Sequence, residues 1–214
     1  CEVESIIGRA FYLMEFKQGR VLWDQSLPAM TPSERGAIYD EMNRVIAALH
    51  TVDVSARGLS DYGRPGSYFE RQIGRWTKQY LASVTEPIAE MNRLIDWLPA
   101  QMPATARDES CVSIVHGDFR LDNCIVHPTE PRIIAVLDWE LSTLGDPLAD
   151  FTYHLMQWFM PVSETGAGVG SLLGHERDPG VSAVEDYIAD YCRRTGRSGI
   201  PDLPVYTTLF RLAA

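Results

Sequence analysis

The part of this chain that most restricts its fold is residues 112–140, where three short apolar runs alternate with polar residues. The apolar runs are Val112–Val115, Cys124–Val126 and Ile133–Leu137, and each is rich in β-branched side chains. Short runs of this kind, bounded by turn residues, are typical of strands. The segment therefore predicts brief strands with a polar loop between the first two.

The polar residues of this segment have the composition of a metal site that handles phosphate. Asp118 and Asn123 lie in the first loop, and Asp138 stands where the third strand ends. Because a strand end fixes a side chain better than a free loop does, we expect Asp138 to face the other two across one cleft. Carboxylate and amide oxygens suit Mg²⁺, which usually completes its shell with water and substrate phosphates. The combination indicates phosphoryl transfer.

The spacing of these residues makes the interpretation more specific. His116, Asp118 and Asn123 reproduce the kinase pattern H-x-D-x-x-x-x-N, and Asp138 falls where a second metal-binding aspartate belongs. A single His-x-Asp pair would carry little weight, since such residues often only satisfy backbone groups at a turn. The added asparagine at its offset and the strand-terminal aspartate make a structural turn a poor explanation.

On the stretches HGDFRLDN, LDWE and LSTLGDPLADFTY, the chain resembles the aminoglycoside phosphotransferase and choline kinase-like family, relatives of protein kinases. The likeness is strongest to phosphotransferase-like domains that occur alone in bacteria or fused to acyl-CoA dehydrogenases. It implies an α+β fold, namely a protein-kinase-like large C-terminal lobe that is mostly helical with a small catalytic β-hairpin region.

The chain holds only two lysines, and no glycine-rich loop precedes the motif. In the family resembled, those parts belong to a small N-terminal lobe that covers the ATP phosphates. We therefore expect that lobe to be largely absent here. Residues 1–24 are predicted to be a hinge strand and linker, and residues 25–214 a helical C-terminal lobe that is truncated at its end.

The resemblance also implies roles for individual residues. Asp118 is expected to act as general base, while Asn123 and Asp138 bind Mg²⁺. Arg120 is expected to contact the transferring phosphoryl group or an anionic group of the acceptor, and is the second residue assigned to catalysis. A surface arginine paired with Asp122 is the alternative.

Other positions are expected to support the loop or to contact the nucleotide. The resemblance implies that Asp150 holds the loop structurally, and His116 is expected to do so because its neighbour Gly117 lets the backbone turn tightly. The apolar segment Gly8–Phe16 is predicted to be a strand. The resemblance implies that this strand leads into the hinge, where the backbone of Met14, Glu15 and Phe16 contacts the adenine. A plain buried edge strand explains the same apolar pattern equally well.

The rest of the chain predicts helices from their starting signals and apolar spacing. The signals are capping residues followed by an acidic residue, or a proline at the first helical position. Gly196 is expected to end one of these helices. The predicted helix starts are Thr31, Ser67, Pro87, Asp146, Ser182 and Pro201.

Composition restricts the partners. The formal net charge of -10 argues against nonspecific nucleic-acid binding, which depends on clustered positive charge. No apolar run approaches the ~20 residues that span a bilayer. The four cysteines include no C-x-x-C pair, which argues against a zinc site and favours reduced thiols in the cytoplasm. The oligomeric state is not indicated.

These observations predict an ATP- and Mg²⁺-dependent enzyme that transfers the γ-phosphate to a hydroxyl of a small molecule. The acceptor is expected to be aminoglycoside-like or a hydroxylated acyl or other metabolic compound, and this segment alone is expected to be inactive. A nucleotide-binding pseudokinase or interaction module is the alternative from another class. A metal-dependent phosphohydrolase using His116, Asp118 and Asp138 would need more His or Asp ligands than this stretch offers.

Overall fold

The computed structural model describes residues 8, 11, 13–64, 67–107, 111–161, 171–175 and 178–211. Three helices follow the first strand, then four short strands come together, and three more helices end the described chain. This grouping of helices and strands confirms the prediction of an α+β fold. The helices are α1 (Pro32–His50), α2 (Tyr68–Ser83), α3 (Ala89–Trp97), α4 (Pro147–His154), α5 (Val184–Thr195) and α6 (Leu203–Arg211). The strands are β1 (Arg20–Val21), β2 (Ser113–Val115), β3 (Cys124–Val126), β4 (Ile133–Val136) and β5 (Thr143–Gly145).

The strands form two small antiparallel sheets. One has the order β1-β3-β4, in which Cys124 pairs with Val136. The other pairs β2 with β5, so that Ser113 lies opposite Gly145. The loop of residues 116–123 leaves the second sheet and enters the first. It therefore lies between the two sheets, close to the end of β4.

The packing of α1 against α5 is a large part of the core. Helix α1 starts with a capping box, in which the Thr31 hydroxyl accepts from the Glu34 backbone N–H and the Glu34 side chain accepts from Thr31. A face of α1 that includes Met42 is buried against α5, which contributes Tyr187 and Tyr191. Burial of this apolar surface is the main stabilising term for the helical part of the fold.

The start of α4 and the end of α5 follow the sequence signals. The Asp146 carboxylate accepts from the Leu148 backbone N–H at 2.8 Å, and Pro147 occupies the first helical position. Gly196 ends α5 in the left-handed conformation, with φ +71°. Both predictions are confirmed. The capped start of α4 determines where the residues of this helix meet the 116–123 loop.

Several local predictions are wrong. Of the predicted hinge strand Gly8–Phe16, residues 13–16 have no regular structure, because no described strand pairs with them, and the nearby strand is β1 instead. Residues 9, 10 and 12 of that prediction lie outside the described residues. Ser67 precedes α2 in a left-handed conformation and makes no side-chain cap. Helices α3 and α6 begin two residues after the prolines predicted to open them, and α5 is preceded by Ala183 without a side-chain cap. Strand β5 was not predicted.

The division of the chain at residue 24 and its assignment to a kinase C-terminal lobe stay predictions. Within the described part of the chain, no helix is long and apolar enough to cross a membrane.

Candidate functional site

The 116–123 loop is held at its base by one carboxylate. The backbone N–H groups of His116 and Gly117 each donate to Asp150, at 2.8 Å to Oδ2 and 2.8 Å to Oδ1 respectively. Gly117 adopts φ +84°, a conformation that glycine enters without steric cost. The turn at Gly117 thus aims two consecutive donors at the same side chain of α4.

The carboxylate of Asp150 is fully buried and is compensated from several sides. His50 at the end of α1 lies 3.0 Å from Asp150 Oδ2, and the other ring nitrogen of His50 lies 2.7 Å from the Tyr191 hydroxyl. Burial alone would raise the pKa of Asp150, but the hydrogen bond and charge of His50, with the two loop N–H groups, hold that pKa below its ordinary value. Asp150 therefore remains ionised in the core.

Asp118 is half-buried and receives hydrogen bonds on both carboxylate oxygens. The Asn123 Nδ2 group donates to Asp118 Oδ2 at 3.0 Å and to the Asp118 backbone carbonyl at 2.8 Å. On the other oxygen, the Tyr153 hydroxyl donates to Asp118 Oδ1, and Arg120 Nε lies 3.5 Å away. The carboxylate is thus fixed in orientation while it stays partly accessible to solvent.

The end of β4 is joined to this loop through Leu137. The Leu137 N–H donates to the backbone carbonyl of Asn123 at 2.8 Å, and His116 Nε2 donates to the Leu137 carbonyl at 2.8 Å. His116 Nδ1 accepts from the Asp118 N–H at 3.2 Å, which assigns the proton to Nε2. Asp138 follows directly, exposed and in a left-handed conformation with φ +61°. Its backbone therefore starts beside the loop that carries Asp118 and Asn123.

An open groove runs from Asp138 to the segment before β1. Its lining includes Met14, Leu137, Asp138 and Trp139, so the structure places Met14 beside the strand end. Glu15 is instead paired with Lys17 at 2.6 Å, and Phe16 is 88% exposed. Of the three residues expected to contact nucleotide, only the Met14 side chain faces the groove.

Arg120 is bound to two acidic side chains. Its NH2 group lies 2.5 Å from Asp122 Oδ2, the pairing that the sequence offered as the alternative, while its Nε faces Asp118. Burial alone would lower the pKa of Arg120, but the charges of Asp118 and Asp122 raise it. Residues Leu121–Asn123 form a 3₁₀ turn.

Sequence reasoning missed three residues that contact the loop or its anchor. They are Tyr153 on Asp118, His50 on Asp150, and His154, whose Nδ1 donates to the Phe119 carbonyl at 3.2 Å. The spacing of Tyr153 and His154, three and four residues after Asp150, would place them on the same helix face. That spacing was the available signal, while nothing in the sequence connects His50 to the loop.

A buried polar atom lies at the edge of the site. Gln157 is 5% exposed, and its Nε2 donates to the His154 carbonyl at 3.2 Å, so its Oε1 points the other way. That oxygen has no hydrogen-bond partner among the described residues. It lines a small pocket together with Arg120 and Tyr153. A donor group in that pocket would satisfy it.

Comparison with known sequences identifies the protein family of this chain. Residues 1–200 match the model of the family described as "Phosphotransferase enzyme family". Mouse acyl-CoA dehydrogenase family member 10 is 44% identical over 221 residues, which cover 100% of this chain and 20% of that protein. The Arabidopsis thaliana protein described as a probable acyl-CoA dehydrogenase is 41% identical over 202 residues, covering 92% of this chain and 24% of that protein. This chain therefore spans about a fifth to a quarter of the curated relatives' length.

Solved structures agree with the family match. A Ralstonia eutropha protein, provisionally described as an aminoglycoside phosphotransferase, is 56% identical with a TM-score of 0.89, covering 99% of this chain and 63% of that chain. A Streptomyces rimosus aminoglycoside phosphotransferase solved with ADP and streptomycin is 16% identical with a TM-score of 0.58, covering 87% of this chain and 66% of that one, and shares the fold. The family predicted from the HGDFRLDN motif is confirmed, and the chain belongs to the phosphotransferase enzyme family.

Proposed function

We propose that the protein transfers the γ-phosphoryl group of ATP, with Mg²⁺, to a hydroxyl of a small molecule. The observation that carries the proposal is the meeting of Asp118 and Asn123, in hydrogen-bond contact, with the strand end that presents Asp138. Membership of the phosphotransferase family supports it. The fold shared with a protein solved with ADP and streptomycin supports a nucleotide and a small-molecule acceptor.

The residues that would hold Mg²⁺ fit that ion chemically. The Asn123 amide turns its Nδ2 toward Asp118, which leaves its Oδ1 for another partner. Asp138 offers an exposed carboxylate at the end of β4. One amide and one carboxylate oxygen form the partial protein shell that Mg²⁺ commonly completes with phosphates and water. Bound Mg²⁺–ATP would supply the phosphoryl group and neutralise its charge.

The groove beside Asp138 is the proposed nucleotide site. Met14 lines it, and its apolar surface suits contact with a base. For Glu15 and Phe16, whose side chains do not line the groove, the proposed contacts are limited to backbone N–H and C=O groups.

Asp118 would handle the proton of the acceptor. As the acceptor oxygen forms its bond to the γ-phosphorus and the bond to the ADP oxygen breaks, the acceptor proton passes to the Asp118 carboxylate. General-base assistance of this kind typically contributes ~10²–10⁴ in rate, and alignment and charge stabilisation supply most of the rest. Hydrogen bonds from Asn123 and Tyr153 already fix the carboxylate. Asp150 would hold the loop that carries it.

Arg120 would contact an anionic group, either on the transferring phosphoryl or on the acceptor. The carboxylates of Asp118 and Asp122 stabilise its positive charge, and its side chain is 23% exposed. Because curated relatives are acyl-CoA dehydrogenase family members, a hydroxylated acyl compound is proposed beside an aminoglycoside-like acceptor. An anionic acyl compound would suit Arg120.

A substrate panel on the full-length protein tests the proposal. Aminoglycosides and hydroxylated acyl compounds are supplied with ATP and Mg²⁺, and ADP release is followed. At least one acceptor should accelerate ADP release, and Asp118→Asn should remove that acceleration while nucleotide affinity is retained. Asp96→Asn, an exposed position on α3, is the matched control and should leave turnover unchanged.

The outcomes separate the competing functions. Nucleotide binding without acceptor-dependent ADP release across the panel would favour the binding module over the enzyme. Phosphate release from phosphorylated compounds without ATP would favour a phosphohydrolase. Among the described residues, no group of three or more His, Cys, Asp or Glu side chains is arranged to hold a metal ion, and a phosphohydrolase of that type would need such a group.

A further inference from the structure

Successive residues on one face of α4 contact successive residues of the 116–123 loop. Asp150 accepts from the N–H groups at the start of the loop, Tyr153 donates to the Asp118 side chain, and His154 donates to the Phe119 carbonyl. These helix residues are spaced three and four apart, so they lie on one side of α4. The helix thus fixes both the loop backbone and one loop side chain.

We propose that Tyr153 is a positioning residue that sets the orientation of the Asp118 carboxylate. The inference rests on the proposed function, in which Asp118 receives the acceptor proton. Asn123 holds Oδ2, and without the Tyr153 hydroxyl the nearest donor to the other oxygen among the described residues would be Arg120, whose Nε is 3.5 Å away. Tyr153 therefore supplies the close donor on Oδ1 and restricts rotation of the carboxylate about its Cβ–Cγ bond.

The surroundings of Tyr153 keep it a donor. Burial, followed by its hydrogen bond to Asp118 and the charge of that carboxylate, raises the pKa of Tyr153 well above its ordinary value. The phenol therefore keeps its proton at any pH at which the enzyme works.

A second tyrosine–aspartate pair in the chain provides the matched control. The Tyr206 hydroxyl donates to Asp146 Oδ2 at 2.8 Å, and Asp146 caps the start of α4. This bond has the same chemistry and joins the same helix to α6, but it does not contact the 116–123 loop. Comparing the loss of one hydroxyl with the loss of the other therefore distinguishes a role in the site from a role in stability.

The test compares Tyr153→Phe with Tyr206→Phe in the full-length protein, with ATP, Mg²⁺ and the acceptor that the panel identifies. Tyr153→Phe should lower kcat by ~10- to 100-fold, the range associated with a misplaced catalytic group, with KM for ATP nearly unchanged. Tyr206→Phe should lower the melting temperature and leave kcat unchanged.

A readout independent of activity tests the contact itself. In protein labelled with ¹³Cζ-tyrosine, the resonance lost in Tyr153→Phe identifies Tyr153, and Asp118→Asn should shift that resonance. An unmoved resonance would overturn the inference even if the panel finds no acceptor. Turnover by the wild type together with an unchanged kcat in Tyr153→Phe would also overturn it, and would leave the proposed phosphotransferase standing.

Discussion

Replacing Gly117 by alanine should damage both stability and turnover, for two separable reasons. The residue has φ +84°, where an L side chain costs ~1–2 kcal/mol. A Cβ at this position would also lie 2.8 Å from both the Cβ and the backbone oxygen of Leu141, closer than real contacts allow. Because the backbone oxygen cannot rotate away, the loop must shift, at a cost of ~1–3 kcal/mol for overpacking.

Gly196 offers a control that isolates the second reason. It has φ +71°, and apart from its own chain neighbours no described residue has an atom within 4 Å of a Cβ built there. Gly196→Ala should therefore lose only the conformational part, ~1–2 kcal/mol. Gly117→Ala should lose about 2–5 kcal/mol in total. Urea unfolding of the two variants and the wild type measures the difference directly.

Turnover gives a second comparison between the same two variants. A shift of the loop at Gly117 would pull its N–H from Asp150 and move Asp118, so Gly117→Ala should reduce kcat by far more than Gly196→Ala does. The reasoning is refuted if the two variants have the same free energy of unfolding and the same kcat. That result would mean that the contact with Leu141 does not constrain the loop.

Two further predictions concern buried polar groups. Burial lowers the pKa of His154 from 6.5 to about 4. Between these two pKa values, the unfolded chain binds a proton at His154 and the folded protein does not. The free energy of unfolding should therefore fall as pH drops from 6.5 toward 4, by about 2 kcal/mol between pH 7 and pH 5. In urea titrations, His154→Gln should reduce this slope, and an unchanged slope would assign it to other groups. A high-resolution crystal structure should show a water or acceptor hydroxyl within hydrogen-bond distance of Gln157 Oε1, and an empty pocket there would contradict the prediction.

Much of the site could be predicted because its residues are close in sequence. The offsets among His116, Asp118 and Asn123 fix a turn, and the β-branched runs around them fix strands, so local chemistry decides both. Asp150 was also predicted, but only through the family resemblance. Its contact with the loop spans more than 30 residues, and no periodicity in the sequence specifies it.

The missed elements depend on partners that are remote in sequence. Strand β5 forms because residues 143–145 pair with β2, about 30 residues earlier, and its Thr-Leu-Gly sequence gives little strand signal alone. The predicted hinge strand failed for the converse reason. Its backbone has no strand to pair with among the described residues, and its apolar side chains stay exposed, as Leu13 does at 91%. Strand propensity without a partner strand does not make a strand.

The attachment of residues 116–119 to α4 has a consequence for how the protein is made. Each of those loop residues is tied to a side chain between positions 150 and 154, so a nascent chain that has emerged only as far as β4 carries the whole sequence motif without its support. Holding the loop in its folded conformation costs conformational entropy, which no contact offsets until α4 is present. During synthesis, the geometry of residues 116–119 should therefore appear only after α4 has left the ribosome, well after the motif itself has been translated.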